Sequence, residues 1–118
     1  MKKICLIIED ERPIADAQAM LLRKEFNVHH AADGEEGIQK ALLLKPAVVI
    51  LDLMLPKMHG YEVCRKIKEG LRETKVVMVT AKNQDRDEQA GMELGADDYI
   101  MKPFEADELL HVVHQVLK

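Results

Sequence analysis

The chain has little of what marks a secreted, membrane or nucleic-acid-binding protein. Its two cysteines, Cys5 and Cys64, are far apart in apolar contexts and form no CxxC or metal-binding spacing, which favours buried free thiols. The formal net charge of −4 gives no reason to expect direct nucleic-acid binding, which needs a basic face. No secretory signal opens the chain, and the apolar runs are too short to cross a bilayer. We therefore expect a cytoplasmic protein without membrane contact.

The composition is that of an ordinary globular domain. The 118 residues are 47% hydrophobic and 32% charged, enough for one core. No linker, low-complexity segment or internal repeat divides them. The sequence predicts a single domain over residues 1–118.

Short β-branched runs alternate with amphipathic stretches of helix length. The predicted strands are Ile4–Ile8, Val28–Ala31, Val48–Leu51, Val76–Val79 and Tyr99–Met101. The predicted helices begin near Pro13, run over Glu35–Leu44, follow Gly60, cover roughly Gln84–Leu94, and cover roughly Glu105–Leu117. Short connections in this order predict an α/β fold with five helices around a five-stranded parallel doubly wound sheet. The simplest strand order is 2-1-3-4-5, which is flavodoxin-like.

Two helices carry patterns that predict how they pack. In the first helix the apolar residues Ile14, Ala17 and Leu21 recur at i, i+3 and i+7. The last helix has an apolar stripe that Leu110 and Leu117 widen. The wider face fits a contact surface for a partner, or tight packing against both the sheet and a neighbouring helix, and both interpretations stay open.

Polar residues follow the carboxyl ends of four predicted strands. They are Glu9-Asp10-Glu11, Asp52, Thr80-Ala81 and Lys102-Pro103. Because these strand ends share one edge of a parallel sheet, Asp10 and Asp52 should face each other where the winding reverses. Each residue alone has an ordinary explanation, such as a turn former or a β-former. Their joint occurrence on one edge favours function.

The charges on this edge indicate a cation site and phosphoryl chemistry. Carboxylates packed so closely repel one another unless a cation lies between them. Few, water-accessible oxygen ligands suit Mg²⁺, which also binds phosphate oxygens. Lys102 and Thr80 would neutralise a phosphoryl group bonded to Asp52.

The same residues resemble those of response-regulator receiver domains over essentially the whole chain. The matching segments are Leu6–Glu11, Val49–Pro56, His59-Gly60, Val79–Ala81 and Gly95–Phe104. The resemblance implies a two-component signalling protein in which a partner histidine kinase, or a phosphotransfer protein, phosphorylates Asp52. It also implies that the chain is not a metabolic enzyme. Its chemistry would be limited to self-phosphorylation from phosphodonors and slow self-dephosphorylation.

The resemblance also implies roles for the residues around Asp52. Mg²⁺ would be bound by the side chains of Asp10 and Asp52, by Glu9 through a water, and by the backbone carbonyl of Met54. Thr80 and Lys102 would contact the phosphoryl oxygens, and the Lys102–Pro103 bond would be cis. Met54 and Lys82 would flank the acceptor, and their bulk predicts a long-lived phosphorylated state.

Signal output is expected through the fourth helix, the fifth strand and the fifth helix. In the family Thr80 and Tyr99 would form the switch, although Tyr99 could instead simply pack at the sheet edge. This surface would contact an output domain or effector protein, or a second copy on phosphorylation. Val112 and His114 stand where arginine is expected, which argues against the usual salt-bridged dimer.

Two other functions compete with this interpretation. A Mg²⁺-dependent aspartate-nucleophile phosphohydrolase would need a second Asp where Met54 stands. A flavin-binding domain would need a Ser, Thr or Gly loop where Glu9-Asp10-Glu11 stands. The histidine pairs His29-His30 and His111/His114 lack further ligands nearby and are interpreted as solvated or partly packed.

Overall fold

The computed structural model describes residues 2–81 and 95–118, with only the backbone of Ala81. The strands are β1 (Lys3–Ile8), β2 (Phe26–Ala31), β3 (Val48–Asp52), β4 (Lys75–Ala81) and β5 (Asp98–Lys102). The helices are α1 (Arg12–Leu22), α2 (Gly34–Leu44), α3 (Gly60–Gly70) and a C-terminal helix (Ala106–Val116). The fourth helix predicted from the sequence and Lys82 lie outside the described residues.

The five strands form one parallel sheet in the order β2-β1-β3-β4-β5, which confirms the predicted fold. The helices α1 and the C-terminal helix pack on one face of this sheet, and α2 and α3 pack on the other. The central strand β3 is buried at every residue, as its unbroken apolar run predicts. This layering brings the carboxyl ends of β1, β3, β4 and β5 to one edge.

The predicted packing of α1 is wrong by one residue. The sequence assigned its buried line to Ile14, Ala17 and Leu21, whereas the residues that the structure buries are Ala15, Gln18 and Leu22. The buried line contains the polar Gln18, which interrupts its apolar pattern. The line of Ile14, Ala17 and Leu21 is apolar throughout and therefore shows the helical spacing more clearly. Leu21 is only partly buried and packs at the side of the same cluster.

The C-terminal helix packs within the domain, and its wide apolar face is largely used there. Leu109 and Val113 are fully buried, while Leu110 and Leu117 are partly buried against the same cluster. His114 Nε2 also lies 2.8 Å from the Glu25 carboxylate, at the turn between α1 and β2. The packing interpretation of Leu110 and Leu117 therefore has direct support.

Side chains cap two helices at the ends predicted from turn signals. The Asp33 carboxylate accepts a hydrogen bond from the backbone N–H of Glu36 at 2.8 Å, at the start of α2. At the start of α3, His59 Nδ1 accepts one from the Tyr61 N–H at 3.1 Å. Of the helices in the described ranges, none is long and apolar enough to span a membrane.

Candidate functional site

Three carboxylates converge at the carboxyl ends of β1 and β3. Ligand atoms of Glu9, Asp10 and Asp52 all lie within 4.8 Å of one another. Glu9 is 1% exposed and Asp52 is 6% exposed, whereas Asp10 is open to solvent. The sequence predicted this meeting of Asp10 and Asp52, but not that Glu9 would be the most deeply buried of the three.

Lys102 supplies the positive charge between the two buried carboxylates. Its Nζ lies 3.5 Å from Glu9 Oε1 and 3.6 Å from Asp52 Oδ2. The side chain comes from the last residue of β5, two strands away from β3. The peptide bond from Lys102 to Pro103 is cis, as the resemblance implies.

The surroundings of Glu9 disfavour its ionised form. Burial raises the pKa of Glu9 from 4.5 to about 7, and the nearby charge of Asp52 acts in the same direction. The hydrogen bond from the Glu11 N–H and the charge of Lys102 oppose the increase. Burial and the charge of Asp52 therefore outweigh the effect of Lys102 on Glu9.

The raised pKa of Glu9 predicts a pH-dependent stability for the metal-free protein. Between pH 4.5 and about 7 the folded state keeps a proton on Glu9 that the unfolded chain has lost. This contribution to the free energy of unfolding is complete below pH 4.5. It decreases by at most about 1.4 kcal/mol per pH unit until the folded-state pKa is passed. Urea unfolding of the wild type and of Glu9→Gln at pH 5, 6, 7 and 8 measures it.

Glu9→Gln serves as the reference because glutamine cannot ionise. Relative to the wild type, this variant should therefore become more stable with each pH step up to about 7. A stability difference that is constant across the series would contradict the assigned pKa of Glu9.

Backbone contacts hold the carboxyl end of β3. The Leu53 N–H donates to the Val79 carbonyl at 2.9 Å, and the Met54 N–H donates to Asp52 Oδ1 at 3.2 Å. The residue Met54 is 57% exposed. Met54 thus contacts the Asp52 carboxylate through its backbone N–H, and Lys82, its predicted partner in flanking that carboxylate, lies outside the described residues.

Thr80 and Tyr99 lie on the same face of the sheet. Tyr99 is the register partner of Met78 in β4, and Thr80 is two residues further along that strand. Side chains two residues apart share a face, so Thr80 and Tyr99 are diagonal neighbours. Thr80 is 6% exposed, and the half-buried Tyr99 packs against the core cluster on that side. The predicted switch pair is adjacent in this structure, in which the Tyr99 ring contacts the core.

Asp97 has a structural role that the sequence did not indicate. Its Oδ2 accepts hydrogen bonds from Lys68 Nζ at 3.0 Å and from the Val76 N–H at 2.8 Å. Lys68 Nζ also donates to the Thr74 carbonyl at 2.8 Å. The carboxylate therefore ties α3 to the start of β4 and is engaged inside the domain. Because Lys68 and Asp97 are 29 residues apart, no local pattern signals the pair.

The donor set at the edge of the sheet fits a magnesium ion. Three carboxylates offer hard oxygen ligands, and the exposure of Asp10 leaves room for the waters that Mg²⁺ retains. A divalent cation would also favour the ionised form of Glu9, whose pKa is raised by burial and by the charge of Asp52. The residues described here could therefore hold such an ion through Glu9, Asp10 and Asp52.

Comparison with known sequences identifies a family. The family model described as the response regulator receiver domain matches residues 5–114. The transcriptional regulatory protein DltR of Streptococcus agalactiae is 48% identical over 106 residues, which are 89% of this chain and 47% of DltR. The response regulator ArlR of Staphylococcus aureus is 42% identical over 114 residues, 96% of this chain and 52% of ArlR. The chain thus spans about half the length of these curated relatives.

Solved structures give the same result. The BeF3-activated DrrB receiver domain has a TM-score of 0.91 and 35% identity, covering 99% of this chain and 98% of that one. A CheY-like receiver domain protein of Methanospirillum hungatei has a TM-score of 0.94 and 30% identity, covering 99% and 94%. The similarity therefore extends over the sheet and its helices.

Proposed function

The chain belongs to the response regulator receiver domain family of two-component systems, and from this premise we propose that Asp52 is its phosphoacceptor. The observation that carries the proposal is the placement of Asp52. It is a nearly buried carboxylate with Lys102 at 3.6 Å and two further carboxylates within reach of one cation. The proposed unit covers residues 1–118 as one domain.

We propose that this chain's own residues orient and stabilise the transferred group. An Asp52 carboxylate oxygen attacks the phosphorus of a phosphohistidine, the P–N bond breaks, and the imidazole leaves with its electron pair. The N–H of Met54 holds Asp52 Oδ1, which leaves Oδ2 on the side of Lys102. Lys102 Nζ and the Thr80 hydroxyl then stabilise the charge of the phosphoryl oxygens. When bound by Glu9, Asp10, Asp52 and the Met54 carbonyl, Mg²⁺ supplies further charge neutralisation.

Output is proposed through β5, the C-terminal helix and the fourth helix predicted from the sequence. Met101 is 39% exposed on β5. Burial raises the pKa of Asp98 on the same strand, and the neighbouring His111 of the C-terminal helix opposes that increase. We propose that Thr80 and Tyr99 relay phosphorylation to this surface. DltR is named a transcriptional regulator, so we propose an output domain or effector as the partner, with phosphorylation-dependent self-association as a further possibility.

We propose that the protein is a cytoplasmic signalling switch and not a metabolic enzyme. Both cysteines are buried free thiols, which fits a reducing compartment. A histidine kinase or phosphotransfer protein would supply the phosphoryl group. The chain's own chemistry would be limited to accepting that group and hydrolysing the acyl phosphate slowly.

Intact-mass measurement tests the phosphoacceptor proposal. The wild type is incubated with acetyl phosphate in the presence of Mg²⁺, or in the presence of a chelator. We expect one added phosphoryl group with Mg²⁺ and essentially none with the chelator. Borohydride reduction followed by peptide mapping should locate the acyl phosphate at Asp52. Modification at another carboxylate, or labelling that is insensitive to the chelator, would contradict the proposal.

A further inference from the structure

His30 contacts the backbone of the acidic turn that follows β1. Its Nε2 lies 2.7 Å from the carbonyl oxygen of Glu9, although His30 is on the neighbouring strand β2. The N–H of Glu9 donates to the Ala31 carbonyl at 3.0 Å. Both backbone groups of Glu9 are therefore held by β2, just before the chain reaches Asp10.

The partner of His30 determines which ring nitrogen carries a hydrogen. A carbonyl oxygen only accepts hydrogen bonds, so Nε2 must be the donor. A short hydrogen bond of this kind restricts rotation of the peptide group between Glu9 and Asp10. The orientation of that peptide group determines the direction in which the chain continues from Glu9 to Asp10.

Among the described residues nothing else supports the carboxylate of Asp10, so Asp10 depends on this backbone restraint. In residues 2–81 and 95–118, no side-chain hydrogen bond or ion pair holds Asp10, which is exposed. By contrast, the carboxylate of Glu9 contacts the Glu11 N–H and Lys102, and that of Asp52 contacts the Met54 N–H. Of the three candidate ligands, Asp10 is thus the one placed by the backbone alone.

His30 is itself held from the opposite side. Lys40 of α2 donates to the His30 carbonyl, and its Nζ also pairs with Glu36 at 3.4 Å. The Glu36 carboxylate in turn accepts a hydrogen bond from the N–H of Ala32, just beyond β2. A continuous set of contacts therefore runs from α2 through the end of β2 to the acidic turn.

We infer that His30 is a positioning residue for the cation site: its Nε2–H holds the Glu9 carbonyl and so orients Asp10 as a ligand. This inference rests on the proposed function, because it assumes that Asp10 binds Mg²⁺. His30 touches neither the ion nor the phosphoryl group. Its effect is on the affinity for the ion and not on the chemistry at Asp52.

Magnesium titration of three variants tests the inference. Mg²⁺ affinity is measured from amide NMR shifts in the wild type, His30→Ala, His30→Gln and His29→Ala. Loss of an outer partner of a metal ligand costs about 10- to 100-fold in affinity. We expect a weakening of about 10-fold or more in His30→Ala, and retention of most of the affinity in His30→Gln, whose amide can donate in place of Nε2–H. Acetyl phosphate labelling at saturating Mg²⁺ should reach the wild-type extent in all variants.

His29→Ala is the matched control, because successive side chains of a strand point to opposite faces. It should bind Mg²⁺ like the wild type. Equal affinity in wild type and His30→Ala, or equal loss in His30→Ala and His30→Gln, would overturn the role of His30 while leaving the phosphoacceptor proposal intact. If the wild type itself binds no Mg²⁺, the proposed function fails first.

A measurement on the unmodified protein covers the case in which His30→Ala does not fold. Nitrogen-15 NMR of the imidazole reports which ring nitrogen is protonated. We expect a protonated Nε2 on His30, with slow exchange of its hydrogen with water. A neutral ring protonated only at Nδ1 would exclude the hydrogen bond to Glu9 and overturn the inference.

Discussion

Asp52→Asn should abolish phosphorylation by acetyl phosphate while the domain remains folded. The amide is a poor nucleophile, and it replaces a buried carboxylate that lies 3.6 Å from Lys102 and has two acidic neighbours. The substitution also removes a negative charge whose presence raises the pKa of Glu9. We therefore expect a metal-free variant at least as stable as the wild type at pH 7. Intact-mass labelling and urea unfolding measure the two effects.

Asp16→Asn provides the matched control for the same chemical change. Asp16 is on the surface of α1, where it pairs with Arg12 at 3.1 Å and its side chain is 64% exposed. Exposed pairs of this kind contribute about 0–1 kcal/mol. Labelling of Asp16→Asn should equal that of the wild type. Continued labelling of Asp52→Asn, with the phosphoryl group mapped to another carboxylate, would refute the assignment.

The sheet could be predicted from the sequence because buried parallel strands carry a strong local signal. The run Val48–Leu51 is apolar at every position, and all its residues are buried. Once the strands were identified, the acidic and basic residues at their ends could also be grouped, because the topology brings the carboxyl ends of parallel strands to one edge. The convergence of Glu9, Asp52 and Lys102 follows from the strand order.

Features that depend on tertiary contact could not be predicted in this way. The buried line of α1 was missed because Gln18 is polar, although the structure buries it to 4% exposure. The pairing of Lys68 with Asp97 joins residues distant in sequence, and so does the contact of His30 with Glu9. To predict such a contact, one must know which surfaces meet in the folded protein. Hydrophobic periodicity does not provide this information.

For Glu9, the sequence predicted the position of the residue but not its protonation state. The resemblance implied that it reaches the metal through a water, as one of several acids at the edge. The structure buries it completely beside Asp52, and burial is the largest cause of its raised pKa. A carboxylate with a pKa of about 7 exchanges its proton near neutral pH, which the sequence alone does not reveal.

Gly60→Ala should strongly destabilise the domain and impair phosphorylation. Gly60 begins α3, and its N–H donates to the Leu53 carbonyl at 3.1 Å. A Cβ at this position would lie 2.7 Å from Leu53 Cα and 3.0 Å from the Asp52 carbonyl oxygen. These are backbone atoms of residues 52 and 53, which cannot move without displacing the Asp52 side chain. We expect a loss of about 1–3 kcal/mol or more in urea unfolding, together with reduced labelling of the folded fraction.

Gly70→Ala tests whether this sensitivity comes from the backbone contact, because the same substitution is made at the other end of α3. There a new Cβ would meet only Leu42 Cδ2, at 2.8 Å, which is the end of a flexible side chain on the surface. Leu42 can rotate away, and alanine favours a helix over glycine by up to about 1 kcal/mol. Gly70→Ala should therefore be as stable as the wild type or slightly more stable, with normal labelling. Equal stability of the two variants would mean that the close approach of α3 to the backbone of Asp52 and Leu53 is not required for the fold. A destabilised Gly60→Ala beside an unaffected Gly70→Ala would show that α3 and Asp52 are held together by a contact that only glycine permits.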